Sequence, residues 1–353
     1  MGSYDIEQIG DFHFSDCCCV TRKRYHTAMA SNRPALLTEW PRRSSSRGPS
    51  APNILIANEK ANWGRCRRKL RQTIDLLREQ GFSFRLATSN GSRHAGELAA
   101  AAAVDNANTI VVAGGDGTVN EVVNGLFASE CDHVPRIGII PLGSSNDFAK
   151  SLGIPQHPSE ACRTIMTGIV RNVDVGRVGS HYFCTASCLG YFAETAARSL
   201  QMTRFRGSLR YTIPALRVIR EMASGWEMNV STDTRVFHGN YAALLVGNAA
   251  RFGGLTMLPG ARCDDGLFDC LLIEMAGKWE ALRLIPLVYR KALERHRRVM
   301  RFQTRSLSVW LDRPSQLCND GEVYPASFEQ IDYTVLPRRL PVICPEQRDT
   351  ALA

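Results

Sequence analysis

A glycine-rich segment near the middle of the chain has the residue types needed to bind a phosphate. Gly114-Gly115-Asp116-Gly117 follows a β-branched apolar run at residues 110–112 and precedes apolar residues that recur at helical spacing. The glycines therefore lie between the end of a buried strand and the start of a helix, where α/β sheets bind ligands. Main-chain N–H groups can approach an anion closely there, and the helix N-terminus adds a favourable field. The sequence predicts a phosphate-binding loop.

A second turn of similar composition follows the next apolar run along the chain. Residues 135–141 are typical of a buried strand, and they end in Leu142-Gly143-Ser144-Ser145-Asn146-Asp147, which leads into another predicted helix. Two such turns at the carboxyl ends of strands in one sheet can face the same ligand. Together they are more specific than a single glycine turn.

The elements around these turns alternate between strand and helix. Strands are predicted at residues 53–57 and 82–86, and helices at 66–80 and 95–104, before the glycine loop is reached. This order predicts a parallel, doubly wound sheet spanning residues 52–175. Residues 1–51 lack sustained periodicity and are predicted to be a disordered leader, in which the triplet Cys17-Cys18-Cys19 is interpreted as incidental rather than as a lipidation target.

The second half of the chain has a different pattern. From residue 177 short alternating strands dominate, interrupted by helical insertions at about residues 192–224 and 278–298. The pattern predicts a β-rich domain over residues 176–334, and residues 335–346 are predicted to return to the first domain.

Composition limits the class of protein and the chemistry of its partner. The chain has 353 residues, 44% of them hydrophobic, which is enough to bury the cores of two domains. No apolar stretch reaches the roughly 18 to 20 residues of a membrane-spanning helix, so a soluble protein is expected. The net charge of +9 suits a nucleotide, a nucleic acid or an acidic membrane surface, and charge alone does not choose among them. The twelve cysteines have no zinc-site spacing and are expected to be free thiols in a reducing cytoplasm.

Three motifs in order give the chain a resemblance to a known family. They are Gly114 to Thr118 followed by Val119-Asn120-Glu121, then Pro141 to Asp147, and finally Asn319-Asp320-Gly321-Glu322. The set resembles the signatures of the diacylglycerol kinase catalytic-domain family, which includes sphingosine and ceramide kinases and bacterial soluble lipid kinases. The likeness runs from about residue 52 to residue 344.

This resemblance implies a fold and a set of nucleotide contacts. The implied fold is an N-terminal doubly wound domain like those of NAD kinases and phosphofructokinases, joined to a C-terminal β-sandwich domain, with the active site in the cleft. Ser144 stands where the family usually has threonine, and the loop after Asn58 lacks the family's Asn-Pro-x-x-Gly. The residues implied in ATP binding are Asn58, Thr88, Gly114, Gly115, Asp116, Gly117, Thr118, Val119, Asn120, Glu121, Gly143, Ser144, Asn146 and Asp147.

The acidic pair Asp320 and Glu322 is implied to be the catalytic base region. Phosphoryl transfer to an alcohol needs a proton acceptor near the attacking hydroxyl. Two residues apart on an extended segment, both carboxylates would point the same way. We expect Glu322 to accept the proton and Asp320 either to orient it or to take part in the proton network. The alternative is that residues 319–321 are only a hairpin turn.

A magnesium site is implied at Asp265, with the backbone carbonyls of Arg262 and Leu267 as further ligands. The alternative is an Asp-Gly turn. Asp116 is expected either to approach the Mg²⁺ that accompanies ATP or to cap the helix that follows it.

The predicted function is ATP- and Mg²⁺-dependent phosphorylation of a lipid hydroxyl, with diacylglycerol as the expected substrate and phosphatidic acid as the product. The arginine-rich segments at residues 198–211 and 289–301 are interpreted as a peripheral contact with an anionic membrane, or as amphipathic helices packed on their own domain. A cytoplasmic, peripherally membrane-associated protein is expected, which could form a homodimer and has no specific nucleic-acid partner.

Two other functions compete with this prediction. A NAD kinase-like or other small-molecule kinase shares the glycine loop, but residues 119–124 and the turn at Ser144 argue against it. The rival from a different class is a non-catalytic, nucleotide-responsive membrane-binding protein. The presence of both Asp320 and Glu322 argues against that rival.

Overall fold

A computed structural model of the protein describes residues 52–58, 67–129, 131, 133–202 and 209–346. The predicted leader, with Cys17-Cys18-Cys19, and the loop at residues 59–61 lie outside the described residues. Residues 203–208, in the middle of the first arginine-rich segment, also lie outside them.

The first half of the described chain alternates strands and helices. In chain order it contains β1 (Asn53–Asn58), α1 (Arg67–Glu79), β2 (Arg85–Ser89), α2 (His94–Val104), β3 (Thr109–Gly114), α3 (Asp116–Ala128), β4 (Arg136–Pro141), α4 (Asp147–Ser151), α5 (Pro158–Thr167), β5 (Ile169–Val178) and β6 (His181–Phe183).

Strands dominate the second half. In chain order it contains β7 (Ala186–Gly190), α6 (Tyr191–Leu200), α7 (Leu209–Glu221), β8 (Trp226–Thr232), β9 (Val236–Gly247), β10 (Arg251–Phe252), β11 (Leu255–Thr256), β12 (Phe268–Glu274), α8 (Lys278–Tyr289), a 3₁₀ turn (Leu293–Arg295), β13 (Val299–Thr304), β14 (Ser306–Asn319) and β15 (Glu322–Cys344).

Strands β2, β1, β3 and β4 form a parallel sheet in that order, as predicted. Their registers align the carboxyl ends, because Asn58 lies beside Ser89 and Gly114 lies beside Pro141. Each strand therefore delivers its following loop to the same edge of the sheet. This edge is where a parallel α/β sheet binds its ligands.

Helices cover both faces of this parallel sheet. Alternate residues of the strands, such as Leu55 and Val111, pack with Leu70 of α1 and Ile165 of α5. Helices α2 and α3 lie against β1 and β3 and against each other. Because β-strand side chains alternate between faces, strands covered on both sides are apolar at every position, as β3 is. The doubly wound prediction is confirmed.

The strands of the second half also have two apolar faces, with different partners. Leu244 and Val246 of β9 belong to a core shared with β8, β14 and β15. Leu245, between them, points the other way into a core shared with α6 and α8. The predicted β-sandwich is thus covered on one side by helices.

The last strand joins the two halves of the molecule. β15 pairs with β14 and β5 along much of its length, and near its end Val342 pairs with Ile137 of β4 in parallel. The chain thus returns to the edge of the parallel sheet. β5 runs without interruption through residues 175 and 176, where the sequence places a domain boundary.

Some predicted elements differ from those observed. The strand expected at residues 82–86 lies at Arg85–Ser89, because Phe82 and Phe84 pack instead on the α1 side of the sheet. The insertion predicted at residues 192–224 contains two helices, α6 and α7, and the one at 278–298 contains α8 and the 3₁₀ turn.

The crossing of α2 and α3 depends on two small residues and gives a first prediction. A methyl group at Gly125 would lie 2.0 Å from the carbonyl oxygen of Gly96. Although alanine favours a helix by about 1 kcal/mol, we expect Gly125→Ala to lower the free energy of unfolding by about 1 to 3 kcal/mol, since backbone must move. Urea denaturation measures this. Gly91→Ala, where a methyl group meets nothing within 4 Å, is the control. A Gly125→Ala protein as stable as wild type would refute the close crossing.

Candidate active site

The two glycine turns predicted to share a ligand are in direct backbone contact. The amide of Leu142 donates to the carbonyl of Gly114 over 2.8 Å. A methyl group at Gly143 would lie 2.5 Å from the Cα of Gly115. The second turn therefore packs against the first with no room for a side chain between them.

This contact, rather than an unusual backbone conformation, explains the glycines of the two turns. Gly114, Gly115, Gly117 and Gly143 all have φ angles outside the left-handed region, so a special backbone conformation does not require glycine at these positions. Gly114 is limited by the side chain of Thr118, which a methyl group would approach to 2.6 Å. The common requirement is close approach of backbone to backbone or to a neighbouring side chain.

Asp116 caps a different helix from the one expected. Asp116 is the first residue of α3, and the N-terminus of this helix has no side-chain cap. Instead Oδ1 of Asp116 accepts a hydrogen bond of 3.2 Å from the amide of Phe148, in the first turn of α4. Asp116 therefore ties the first glycine turn to the helix that follows the second one.

Negative charge accumulates around Asp116. Burial raises the pKa of Asp116 to about 7, and the charge of Asp147 acts in the same direction, followed by that of Asp320. A site that disfavours one more negative charge is suited to receive a cation or a proton. Asp116 can therefore contribute a carboxylate to the cation that accompanies a bound nucleotide.

Four predicted nucleotide contacts have their side chains engaged within the protein. Val119 is buried. The Nδ2 of Asn120 donates to Oδ2 of Asp320 over 2.9 Å, and Glu121 accepts from the amide of Ala95 at the start of α2. Oδ1 of Asn146 accepts from the amide of Gly143 over 2.9 Å and holds the second turn in shape. We assign these side chains a part in supporting the loops, and their contact with a nucleotide stays a prediction.

Other predicted contacts lie at the sheet edge. Ser144 is exposed beside the glycine contact, and Thr88 is half-buried near the end of β2. Asn58, at the end of β1, donates to the hydroxyl of Thr118 over 3.2 Å. The geometry thus brings β1, β2 and both glycine turns to one place, as the family resemblance implies.

The carboxylate of Asp320 is the most densely hydrogen-bonded group of this region. It accepts from the amides of Cys184, Thr185 and Ala186 over 2.8, 2.7 and 3.2 Å. It also accepts from the Thr185 hydroxyl and from Asn120. With five donors, its oxygen lone pairs are fully used. Asp320 therefore fixes the loop between β6 and β7 to the hairpin between β14 and β15.

The segment carrying Asp320 and Glu322 is the tight hairpin that the sequence allowed as an alternative. Asn319 pairs with Glu322, and the two residues between them, Asp320 and Gly321, have positive φ angles of 50° and 89°. The expectation of an extended segment with both carboxylates on one side is therefore wrong. Asp320 turns towards the loop between β6 and β7, and the turn places Glu322 at the first position of β15.

Glu322 lies directly against the glycine loop. A methyl group at Gly117 would be 2.8 Å from Oε1 of Glu322. Although one side of Glu322 is exposed, the surrounding protein removes enough water to raise its pKa, and the charges of Glu121 and Asp320 raise it further. The charge of Arg210 opposes this shift. A carboxylate with a raised pKa, close to a phosphate loop, is suited to accept a proton.

Sequence reasoning missed three side chains that shape the site. Arg251 pairs with Asp147 at 3.3 Å, and the amide of Gly254 donates to the same carboxylate over 2.6 Å. Thr185 supplies two of the donors to Asp320. Arg210, from the arginine-rich segment at residues 198–211, carries the positive charge that opposes the raised pKa of Glu322. None of these residues belongs to a motif, and each reaches the site from a distant part of the chain.

The predicted magnesium residues form a compact Asp-Gly turn. Gly266 has a φ of 74°, and Oδ1 of Asp265 accepts from the amide of Leu267 over 3.1 Å. The side chain of Arg262 binds Asp264, its neighbour. Within the described residues, no three His, Cys, Asp or Glu side chains converge as a metal site.

A large apolar cavity lies next to this cleft. It has about 1050 Å³ of empty space, including its opening to solvent, and is walled by α6, α7, α8 and the sheet strands beneath them. Its lining includes Phe192, Tyr211 and Leu284. Burial raises the pKa of Tyr211 to about 12, and the charges of Asp147 and Asp116 also contribute. Tyr211 therefore connects the cavity wall with the acidic cluster.

Comparison with protein families matches both halves of the chain. The family described as "Diacylglycerol kinase catalytic domain" matches residues 52–178, and the one described as "YegS C-terminal NAD kinase beta sandwich-like domain" matches residues 186–344. A "Probable lipid kinase YegS-like" from Shewanella frigidimarina (strain NCIMB 400) is 30% identical over 78% of this chain and 89% of the relative. The chain belongs to the diacylglycerol kinase catalytic-domain family.

Further relatives of this family member agree in length and fold. A "Diacylglycerol kinase" from Bacillus subtilis (strain 168) is 28% identical over 80% of this chain and 92% of the relative. The crystal structure of a "putative diacylglycerol kinase" from Bacillus anthracis str. Sterne matches this chain with a TM-score of 0.71 at 23% identity. The match covers 83% of this chain and 97% of the other. The structural likeness shows the shared fold, and family membership supports a lipid kinase that uses ATP.

The role of Asp320 in the kinase gives a second prediction. Asp320→Asn places an amide donor where five donors already converge, so we expect the free energy of unfolding to fall by about 3 kcal/mol. Asp332→Asn is the matched control, because Asp332 is exposed and accepts from the Ser308 hydroxyl at the surface. Urea denaturation of both variants measures the difference. Equal stability of the two variants would contradict the assigned role.

The raised pKa of Asp116 gives a third prediction, on stability and pH. Asp116 titrates near 4 when unfolded and near 7 when folded, so between these values the folded kinase holds a proton that the unfolded chain releases. Its contribution to stability is therefore present below pH 4 and is lost as the pH rises to 7, with a slope of at most about 1.4 kcal/mol per unit.

Asp116→Asn should remove this contribution. Urea denaturation of the nucleotide-free protein at pH 5 and 7.5 measures the change, and the loss of stability between the two values should be smaller in the variant. An identical pH dependence of wild type and variant would show that Asp116 does not titrate in this range.

Proposed function

We propose that this kinase transfers the γ-phosphate of ATP to a hydroxyl group of a membrane lipid, with diacylglycerol as the acceptor and phosphatidic acid as the product. The observation that carries the proposal is the meeting of three features. Glu322 lies against the predicted phosphate-binding loop at Gly117, the charge of Arg210 acts on Glu322, and the next residue, Tyr211, lines an apolar cavity.

The glycine turns supply the part of the site that holds the phosphates. The amides at the start of α3 are aligned with the helix axis and carry a partial positive charge. Phosphoryl transfer depends mainly on positioning and on stabilising charge. The close contact between Gly115 and Gly143 makes both turns one rigid surface for this purpose.

Glu322 is proposed to accept the proton of the lipid hydroxyl. As the hydroxyl oxygen forms its bond to the γ-phosphorus, its proton passes to a carboxylate oxygen of Glu322, and the bond between the γ-phosphorus and the bridging oxygen breaks to release ADP. Asp320 has its lone pairs used by five donors, so we assign it a positioning role. The positive charge of Arg210 favours the ionised base.

The cavity is proposed to hold the acyl chains of the substrate. A lipid chain needs an apolar enclosure that opens towards the reacting group. The cavity has this character, and Tyr211 lies both in its wall and close to the charges of Asp116 and Asp147. A small polar acceptor would leave these apolar walls without a role, which favours a lipid over other alcohols.

Magnesium is proposed at two places by the chemistry of the oxygen donors. Asp116 would hold the ion that accompanies ATP. Asp265, with the carbonyls of Arg262 and Leu267, would hold a second ion. Partial burial raises the pKa of Asp265, and the charges of Asp269 and Asp174 do so further, so its surroundings favour added positive charge. A bound Mg²⁺ ion neutralises phosphate charge and usually retains several waters.

The fourth prediction tests the reaction and its base. Purified protein with ATP and Mg²⁺ should phosphorylate diacylglycerol in a panel that includes sphingoid bases, ceramide and phosphatidylglycerol. Glu322→Gln should lower kcat by about 10²- to 10⁴-fold with unchanged thermal unfolding, because only the proton acceptor is lost. In the wild type, kcat/KM should fall as the pH is lowered through the raised pKa of Glu322.

Glu329→Gln is the matched control, since Glu329 is exposed on the same strand. Failure of the wild type on every lipid of the panel would end the proposal. Full activity of Glu322→Gln would leave the lipid kinase in place and remove Glu322 as its base.

A further inference from the structure

Helices α7 and α8 form one plate because they are joined at both ends. The hydroxyls of Thr212, near the start of α7, and Tyr289, at the end of α8, are hydrogen-bonded. At the other end, Nζ of Lys278 donates to the carbonyl of Arg220 over 2.6 Å. The two helices therefore run antiparallel and present a common inner and outer surface, which we call the α7–α8 plate.

The apolar side chains on the inner surface of the α7–α8 plate line the cavity. Ala215 and Ile219 of α7, and Leu284 and Val288 of α8, line it. They recur at the three- and four-residue spacing of one helix face. The plate thus separates the cavity from solvent along this side.

On the outer surface of the plate, large apolar side chains are exposed, and no described residue covers them. Trp279 is 82% exposed, Leu209 is 55% exposed and Leu216 is 44% exposed. No residue of α8 is fully buried. A group of large apolar side chains exposed on one surface marks a site of association.

The charge of the same plate identifies the chemistry of what covers it. Its two acids are already paired: Glu221 with Arg198, and Glu280 with Arg297 and Arg298. The basic residues of the two helices and the two positions after α8 are Arg210, Arg217, Arg220, Lys278, Arg283, Arg290 and Lys291. The plate is therefore strongly basic, and its partner is anionic.

Apolar and basic side chains share the exposed face of each helix. Trp279 and Arg283 of α8 lie four residues apart, and Arg290, directly after the helix, follows seven residues later, so the three share a face opposite to the cavity-lining residues. On α7, Leu209, Leu216 and Arg220 do the same. Aromatic and aliphatic groups interspersed with arginines suit the boundary between lipid headgroups and acyl chains.

We propose that the outer surface of the α7–α8 plate docks on an anionic lipid bilayer. Trp279, Leu209 and Leu216 enter the headgroup region, and Arg217 and Arg283 bind lipid phosphates. The proposal rests on the proposed function, because a membrane lipid is the substrate and the cavity behind the plate receives its chains. Docking in this orientation places the cavity wall against the membrane that contains the substrate.

No helix among the described residues is long and apolar enough to cross a bilayer. The mode of attachment proposed here needs none, since an interfacial helix lies in the plane of the headgroups.

The fifth prediction is tested with vesicles and the full chain, without ATP. Wild type should bind vesicles of phosphatidylcholine with 30% phosphatidylserine, measured by co-sedimentation, and should bind pure phosphatidylcholine weakly. Trp279→Ala should reduce binding by roughly tenfold, since the buried apolar area is lost. Arg217→Gln with Arg283→Gln should reduce it by about 25-fold on anionic vesicles alone, at about fivefold per charge.

Depth is measured through the tryptophan itself. Brominated acyl chains should quench the fluorescence of wild-type protein, and Trp279→Phe should keep vesicle binding but lose this quenching. Trp310→Phe is the matched control, because Trp310 is 41% exposed on β14 and lies outside the plate. Equal quenching in wild type and Trp279→Phe would overturn the proposal.

Two further readouts separate the outcomes. Trp279→Ala should phosphorylate a short-chain diacylglycerol dispersed in detergent at the wild-type rate, because Trp279 does not line the cavity. If wild type phosphorylates lipid but Trp279→Ala binds vesicles normally, the docking surface is wrong and the proposed function stands. If the Trp279→Ala and arginine variants alter the oligomeric state by light scattering and leave vesicle binding unchanged, the surface is a protein interface and the proposal fails.

Discussion

The carboxylate of Asp320 is the interaction on which the geometry of the site depends. A buried charge is tolerated only when hydrogen bonds replace the water that it loses. Here three successive amides, a hydroxyl and the side chain of Asn120 replace that water. These donors belong to the first helix after the glycine loop and to the loop between β6 and β7. One side chain thus fixes the hairpin of β14 and β15, and with it Glu322, relative to the phosphate-binding loop.

Helix α3 contributes to both halves of the site. Its N-terminus follows the first glycine turn, while Asn120 and Asn124, one turn apart, bind the backbone of Tyr182 in β6. A hinge opening between the halves would have to break these hydrogen bonds and those of Asp320. A lipid can enter more easily at the α7–α8 plate. The plate packs on the sheet around a cavity and not through a tight core.

The sequence predicts what depends on neighbours along the chain and fails where partners are distant. Strand and helix periodicity locates the glycine turns, and the order of elements predicts that their ends meet. Asn120 and Glu121 belong to the motif that follows the first glycine turn. Yet Glu121 caps α2, and Asn120 binds Asp320, 200 residues away in sequence. No local pattern shows such partners. The cavity cannot be predicted from the sequence either, because the apolar residues that line it come from three helices and several strands and have no common spacing.

The two carboxylates of the hairpin differ in chemistry because a single residue between them turns the chain. The left-handed conformation of Asp320 directs its side chain into a nest of donors, whereas Glu322 begins a strand and keeps one side open. The fixed negative charge of Asp320 then raises the pKa of Glu322, adding to the effect of lost water. Asp320 therefore acts on Glu322, the proposed proton acceptor, in two ways, by fixing its position and by increasing its affinity for a proton, although none of its own lone pairs is left to bind a substrate.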